Sequence, residues 1–472
     1  MKHRVLARAL GACALCLPLA AAAASDTDLA ELRAQIRALR DDYEARIRAL
    51  EARVQAAEAA TAAASAAPVI AAAAPSPSAS PPPPPPPPSS GSGPASALSA
   101  FNPGISVVLQ GTYAHLLQDP TQFGINAIQT SPDVGPGRRG LGLGESEITF
   151  FGNVDDKIAG NLTVSLTPDN EVSVEEAFGV LTALPYGIVP KFGRFFSGIG
   201  YLNEQHQHVW DFQDAPLAYQ AFLGGQFTQD GLQAKWVAPA DTFVELGAEV
   251  GNGDAFPGSP RNSNSAGAAS VFVHAGDDIG DNASWRAGLS YLETRANARD
   301  GNLPDVAGGL AAVAFSGRSK VAIADFVWKY APTGNAQVTN VKVQGEYLWR
   351  REHGDLTYDS DGALGLTQTG AYSSTQSGWY LQGVWQFMPM WRIGARYDRL
   401  QAGTPDYGAN EALLATAPFT PQKGTVMVDY TPSEFSRFRL QYAESRTRPG
   451  MTDHQLFLQY ILSLGAHPAH RF

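Results

Sequence analysis

The chain has 472 residues, 44% of them hydrophobic and only 17% charged, with 34 Lys+Arg against 45 Asp+Glu for a formal net charge of −11. No stretch carries a dense Lys/Arg patch, which excludes a basic nucleic-acid binder, and two cysteines cannot build a disulfide framework. After the N-terminus no run of about 18 apolar residues exists, which excludes a helical membrane protein.

The first segment reads as an address. Lys2, Arg4 and Arg8 precede the apolar stretch Ala9 to Leu19, and Ala22-Ala23-Ala24 precede Ser25-Asp26. This is the pattern of a secretory signal peptide over 1–24, cut after Ala24. Cys13 and Cys16 leave with it, so the mature chain carries no thiol. From Leu29 the apolar positions are Leu29, Leu32, Ile36, Leu39, Tyr43, Ile47, Leu50, Val54 and Ala57. Their alternating steps of three and four form a heptad seam with one stutter between Tyr43 and Ile47. Charged residues fill the other faces. The expectation is an α-helical coiled coil over 25–60 that sets oligomer state, with a helix docked on the protein's own body as the alternative. Residues 61–100 are Ala-, Ser- and Pro-rich, with eight consecutive prolines at Pro81 to Pro88. Such a segment buries no core and acts as an extended spacer.

From Phe101 to Phe472 the dominant period is two. Ile105, Val107, Leu109 and Tyr113 alternate with Ser106, Gln110 and Thr112; Val341, Val343 and Tyr347 with Lys342, Gln344 and Glu346; Phe438, Leu440 and Tyr442 with Arg437, Arg439 and Gln441. One face is apolar with aromatic ends and the other is polar and often charged, which fits a transmembrane β-barrel with lipid outside and water inside. Sixteen strands are expected, near 104–117, 143–154, 158–168, 172–184, 187–199, 230–239, 242–251, 266–276, 283–295, 319–331, 338–353, 376–388, 391–402, 423–431, 436–446 and 454–465. Short turns such as Asp155-Asp156-Lys157 and Met388-Pro389-Met390 contrast with long loops near 118–142, 200–229, 252–265, 296–318, 354–375 and 403–422. Bacterial outer-membrane barrels have this asymmetry, and sixteen strands leave room for an aqueous channel, whereas plugged transporters need about 22. Eighteen strands stay open as an alternative, with an extra hairpin around Phe222 to Phe227. No catalytic constellation with assignable roles accompanies His115 or His274, so the chain is not read as an enzyme.

The order of signal, coiled coil, Pro-rich spacer and sixteen-stranded antiparallel barrel resembles the phosphate-selective porin superfamily of Gram-negative bacteria. Four segments, Phe101 to Ser106, Leu143 to Glu147, Gly193 to Asn203 and Ala466 to Phe472, resemble more narrowly a subgroup described as zinc-regulated outer-membrane porins, whose members are sometimes labelled TonB-dependent receptors. The resemblance implies a homotrimer in outer-membrane lipid with its coiled coil in the periplasm. It also implies assembly by the barrel-assembly machinery through the terminal aromatic Phe472. The implied activity is passive diffusion of small hydrophilic solutes or ions, linked to zinc, another divalent metal or phosphate. The rival is a structural or adhesive barrel tethered to the cell wall by its N-terminal stalk.

In general porins the third loop folds inward. Here that loop, 200–229, holds Glu204, His206, His208, Asp211 and Asp214, the candidates for a constriction. His at i and i+2 with a carboxylate can ligate zinc, so His206 and His208 are candidate metal ligands for a transient Zn²⁺, with no cofactor required. The alternative is that these groups hydrogen-bond the loop to the wall. His467 and His470 form a weaker pair. Expected pore-lining bases are Lys235, Arg286, Lys342, Arg350, Arg392, Arg396, Arg437 and Arg439; expected acids are Glu145, Glu147, Glu245, Glu249, Glu346, Asp398 and Asp429. From Phe101 onward 25 Lys+Arg face 37 Asp+Glu, a balance that departs from an anion-loving pore.

Overall fold

The computed structural model describes residues 103–167, 171–414 and 417–465. The expected signal peptide, coiled coil and spacer, the terminal Phe472, and the pair His467 and His470 lie outside the described residues.

Strands of alternating polarity close here into one antiparallel cylinder. β1 (Gly104–Leu116) pairs on one side with β17 (Met451–Gly465), Ser106 opposite Gly465 and Leu116 opposite Gln455. On its other side β1 meets β2 (Gly140–Leu143) and β3 (Ser146–Asn153), two halves of one stave interrupted at Gly144-Glu145. The seventeen hydrogen-bonded segments therefore make sixteen staves. The circuit continues through β4 (Ile158–Leu166), β5 (Val172–Leu181), β6 (Ile188–Phe196), β7 (Thr228–Val237), β8 (Phe243–Gly251) and β9 (Ala268–Ile279). It is completed by β10 (Ala283–Pro304), β11 (Leu310–Tyr330), β12 (Asn340–Tyr358), β13 (Gln368–Met388), β14 (Trp391–Gln401), β15 (Gln422–Ser433) and β16 (Ser436–Arg448). Each stave pairs with its sequence neighbour, so no sheet edge is left open. The alternative of an extra hairpin in the third loop is not met: Leu217–Leu223 there forms a helix, α1.

The outer face is apolar. Leu289, Phe326, Leu381, Leu440 and Leu458 are all exposed. Aromatic rings flank this band. Near the short-turn end, Trp285 faces Trp328 across the β10–β11 ladder, and Trp391, Tyr430, Phe438 and Tyr460 follow one another through successive registers. Towards the long-loop end Trp379 lies opposite Tyr347 and packs on Tyr397 at 5.7 Å between ring centroids. Paired aromatic rows around an apolar belt are what a barrel needs at two lipid–water boundaries.

Two expected long loops are corrected. Residues 296–318 and 354–375 are mostly strand, because β10 to β13 run for 19–22 residues and stand beyond the rest of the rim. Arg299 and Arg318, inside the expected loop, sit on a two-sided sheet whose inner face has its own apolar cluster of Leu303, Val313, Phe315, Leu356, Tyr358 and Tyr372, packed against Tyr407 of the loop after β14. The connection expected at 447–452 is a tight turn at Pro449-Gly450, where Gly450 supplies the positive φ.

Candidate functional site

Ser197 to Phe227 connects β6 to β7 and folds into the barrel. Its neck is closed by Asn203: the amide nitrogen donates to the carbonyls of Ser197 and Phe227, each at 2.8 Å, and its oxygen accepts the Phe227 N–H at 2.7 Å. Inside, every residue of α1 is buried. The helix stops at Gly224, in the left-handed conformation with φ 67°, which glycine adopts without steric penalty. Leu217, Ala218, Tyr219, Phe222 and Leu223 share one apolar cluster with Leu292, Val321, Ile323, Leu348 and Leu400 of the wall and with Ile125 and Ile128 of the first long loop.

Polar ties surround this apolar anchor. Glu346 accepts the N–H groups of Tyr201 and Leu202 and the hydroxyls of Tyr219 and Tyr380, at 2.7–3.2 Å. Glu249 accepts Ser197 Oγ at 2.5 Å and Gly198 N–H at 2.8 Å. Asp398 accepts the Leu217 N–H at 2.9 Å, and Arg350 donates to the Ala221 carbonyl at the same distance.

The candidate loop acids lie on wall bases. Glu204 meets Lys235 at 2.6 Å, and Lys235 also reaches Glu245 at 3.5 Å. Asp211 meets Lys342 at 2.8 Å and Arg392 at 3.4 Å. Asp214 accepts from Lys423 at 2.7 Å, Gln441 at 2.8 Å and Arg396 at 3.1 Å. Burial alone would raise the pKa of all three carboxyls. The opposing bases win, holding Glu204 at about 2 through Lys235, Lys191 and Arg286, and pulling Asp211 and Asp214 well below the carboxylate range. Arg439 binds Asp429 at 2.8 Å and donates to the Trp210 carbonyl at 3.0 Å, Arg437 donates to the His208 carbonyl, and Arg286 stands 5.2 Å over the Tyr201 ring. Of the side chains expected to line the pore, Lys235, Arg350, Arg396, Arg439, Glu147, Glu249, Glu346, Asp398 and Asp429 are buried, whereas Arg286, Lys342, Arg392, Arg437 and Glu245 are half-buried. Much of the inner wall faces the loop.

His206 caps a single helical turn, Gln207–Val209, that carries His208 at its centre, and both histidines converge on acids of β3 and β5. His206 Nδ1 lies 3.2 Å from both Glu147 and Glu175, His206 Nε2 lies 3.1 Å from Glu176, and His208 Nδ1 lies 2.9 Å from Glu147. Glu145 stands within hydrogen-bonding reach of Glu175. Burial alone would lower the His206 pKa. Its bonds to Glu147, Glu175 and Glu176 outweigh that and raise it well above the ordinary histidine value. The donor atoms of Glu147, His206 and His208 all lie within 4.8 Å of one another.

Sequence reasoning found the histidines but not their carboxylate partners Glu175 and Glu176, nor Lys423 and Gln441 under Asp214. The signal for the first pair was a break in alternation. In the β4–β5 ladder Thr163 pairs with Glu176 and Val164 with Val174, which leaves Glu175 as a bulge residue. A bulge lets two successive side chains leave the strict in–out order, and both glutamates reach His206. Two adjacent acids inside an alternating strand were the trace of this.

The fold and site define a closed sixteen-stave β-barrel, apolar outside and charged inside, with the loop Ser197 to Phe227 docked in its lumen. The chain belongs to the same family as an uncharacterized protein of Aquifex aeolicus, with which it is 31% identical over 358 residues, 71% of each chain. No family model matches. Among solved structures it is similar to the outer-membrane channel DcaP of Acinetobacter baumannii (12% identity, TM-score 0.47, 77% of this chain and 97% of that one). It is similar as well to the trimer form of Vibrio cholerae OmpT (12%, 0.47, 77% and 99%) and to Pseudomonas putida OprB (13%, 0.44, 78% and 95%).

Proposed function

We propose that this protein is an outer-membrane channel for the passive diffusion of small hydrophilic solutes, with the loop Ser197 to Phe227 as its constriction. The observation that carries the reading is the loop's attachment. It is tied by charged groups to β3, β5, β7, β8, β12, β14, β15 and β16, all of which turn polar side chains inward while their outer faces are apolar. A barrel that met water only outside would have no use for an inner wall of this kind. The chain works in trimers, with the short-turn end of the barrel on the periplasmic side. The excess of acids from Phe101 onward and the carboxylates around His206 favour cations, divalent metals of the zinc class included, over phosphate as the solute.

A second reading is favoured by one observation. The cluster that holds α1 spans the loop and six strands of the wall without a break, and a lumen filled in this way suits a structural or adhesive barrel anchored by its stalk. Single-channel recording in a planar bilayer under a salt gradient separates the two. Steps arriving in threes with a cation-leaning reversal potential support the channel. Complete absence of current from well-folded protein hands the case to the structural reading.

A further inference from the structure

Side chains that ligate a zinc-class ion must bring nitrogen and oxygen donors to about 2.0–2.2 Å from one point, which sets donors about 3.3 Å apart around a tetrahedron. The spacings at the loop–wall seam are of that size: 2.9 Å from His208 Nδ1 to Glu147, and 3.2 Å from His206 Nδ1 to Glu147 and to Glu175. A ligating histidine also hands its second ring nitrogen to a carboxylate that fixes tautomer and orientation. His206 has this arrangement, with Nδ1 turned to the shared point and Nε2 on Glu176 at 3.1 Å. The His206 ring is further held edge-on against Phe196, 5.3 Å between centroids. Charge points the same way, since Glu145, Glu147, Glu175 and Glu176 gather on one arc of the wall opposite the two imidazoles. Two imidazoles exclude the hard oxygen-seeking ions calcium and magnesium as the preferred guest.

We infer that Glu147, His206 and His208 bind one divalent transition-metal ion of the zinc class, its fourth position left to water or solute, and that the ion bridges the docked loop to strand β3. Glu176 is the positioning residue that orients His206. The bridge is assembled from three separate parts of the chain. Glu147 is held by β3, the two successive glutamates are turned inward by the β5 bulge, and the histidines are presented by a single turn that begins at His206. The consequence for current rests on the channel reading; the binding does not.

The test uses the full-length protein folded in detergent, stripped with a chelator and titrated with Co²⁺ as a spectroscopic stand-in and Zn²⁺ by calorimetry. The expected result is one ion per chain and the intense visible absorption of tetrahedral cobalt. The loop variant His206→Gln/His208→Gln and the wall variant Glu147→Gln each raise Kd at least about 100-fold, and Glu176→Ala raises it about 10–100-fold. The heat-dependent gel shift of a closed barrel confirms that each variant is folded, and Glu147→Asp, which withdraws the carboxylate from the shared point, replaces Glu147→Gln if the latter fails that check. No cobalt band, a weak octahedral one, or unchanged affinity in the loop variant overturns the site. Loss in the loop variant alone, with both wall variants unaffected, overturns the bridge. Tight binding without any effect of Zn²⁺ on bilayer current upholds the site and counts against the channel reading instead.

Discussion

Asp214→Ala tests how the loop is held. Asp214 is buried and accepts from three wall groups, Lys423, Arg396 and Gln441. Its removal leaves Arg396 with Asp398 at 3.0 Å and the residue-214 carbonyl at 2.8 Å, and Lys423 with only the neutral Gln455 at 2.8 Å. Breaking a buried ion pair by deleting one partner costs about 3–5 kcal/mol, because the other charge stays buried and uncompensated. Undocking gives Lys423 access to water, so the cost falls on the docked state. At about 1.4 kcal/mol per decade the open population of the loop rises at least about 100-fold. Hydrogen exchange of peptides spanning 203–223, measured on folded protein, reads this directly. Peptides of the β10–β13 ladders serve as the internal control, since their pairing does not involve Asp214. Asp214→Asn retains the Gln441 bond and falls between. A change below about fivefold in the loop would refute the assignment of Asp214 as a principal tie.

Three further outcomes are expected. Because Glu204 has its pKa lowered to about 2 in the folded state, its contribution to docking is fully present above the ordinary glutamate pKa. It is lost as pH falls from about 4.5 to 2, a loss of roughly 3 kcal/mol. Pepsin should therefore nick the loop increasingly below about pH 4, and Glu204→Gln should flatten that dependence; an identical profile in the variant would count against it. Leu440 lies on the lipid face between Phe438 and Tyr442, so Leu440→Arg should destabilise the barrel by about 2–4 kcal/mol in a lipid refolding titration, whereas a cost under about 0.5 kcal/mol would show that this face does not meet lipid. Gly200 adopts φ 67° beside the Glu346 carboxylate and the Tyr219 hydroxyl. Gly200→Ala should loosen the loop in the exchange assay by at least about 1 kcal/mol, with the barrel's thermal transition unmoved.

The barrel was legible because its signal repeats. Sixteen runs of period two, punctuated by Pro/Gly turns, each constrain the next, and an error in one strand end does not propagate. What misled was the length of β10 to β13: beyond the lipid belt both faces of those strands are polar enough to read as loop, and only the cluster around Phe315 and Tyr372 shows that a second sheet face is buried there. The site was legible in halves. His206, His208, Glu204, Asp211 and Asp214 announce themselves as polar residues among aromatics, but their partners are 30 to more than 200 residues away. Nothing local in Glu147, Lys423 or Gln441 distinguishes a loop ligand from a water-facing wall residue. Closure of the barrel decides it.

The loop's two kinds of attachment have different energetics. Around α1 the contact is apolar, and burying a side chain such as Phe222 contributes about 1.5–3 kcal/mol that changes little with ionic conditions. Elsewhere the contact consists of ion pairs between groups that water would solvate equally well once the loop left, so each pair is near break-even even when its geometry is good. A wall able to face either water or a loop can release the loop at small net cost. An apolar wall could not, since its exposure would be penalised in full. The acidic arc under His206 is the extreme case, where four carboxylates on β3, β5 and their approach meet two histidines. Docking there is the part of the loop most sensitive to an added cation. The strands that carry this arc, β3 to β5, are not among those that hold α1. The His206 turn and the helix are therefore held by different parts of the wall, and the exchange experiment on Asp214 reads their protection separately, at 203–209 and 217–223.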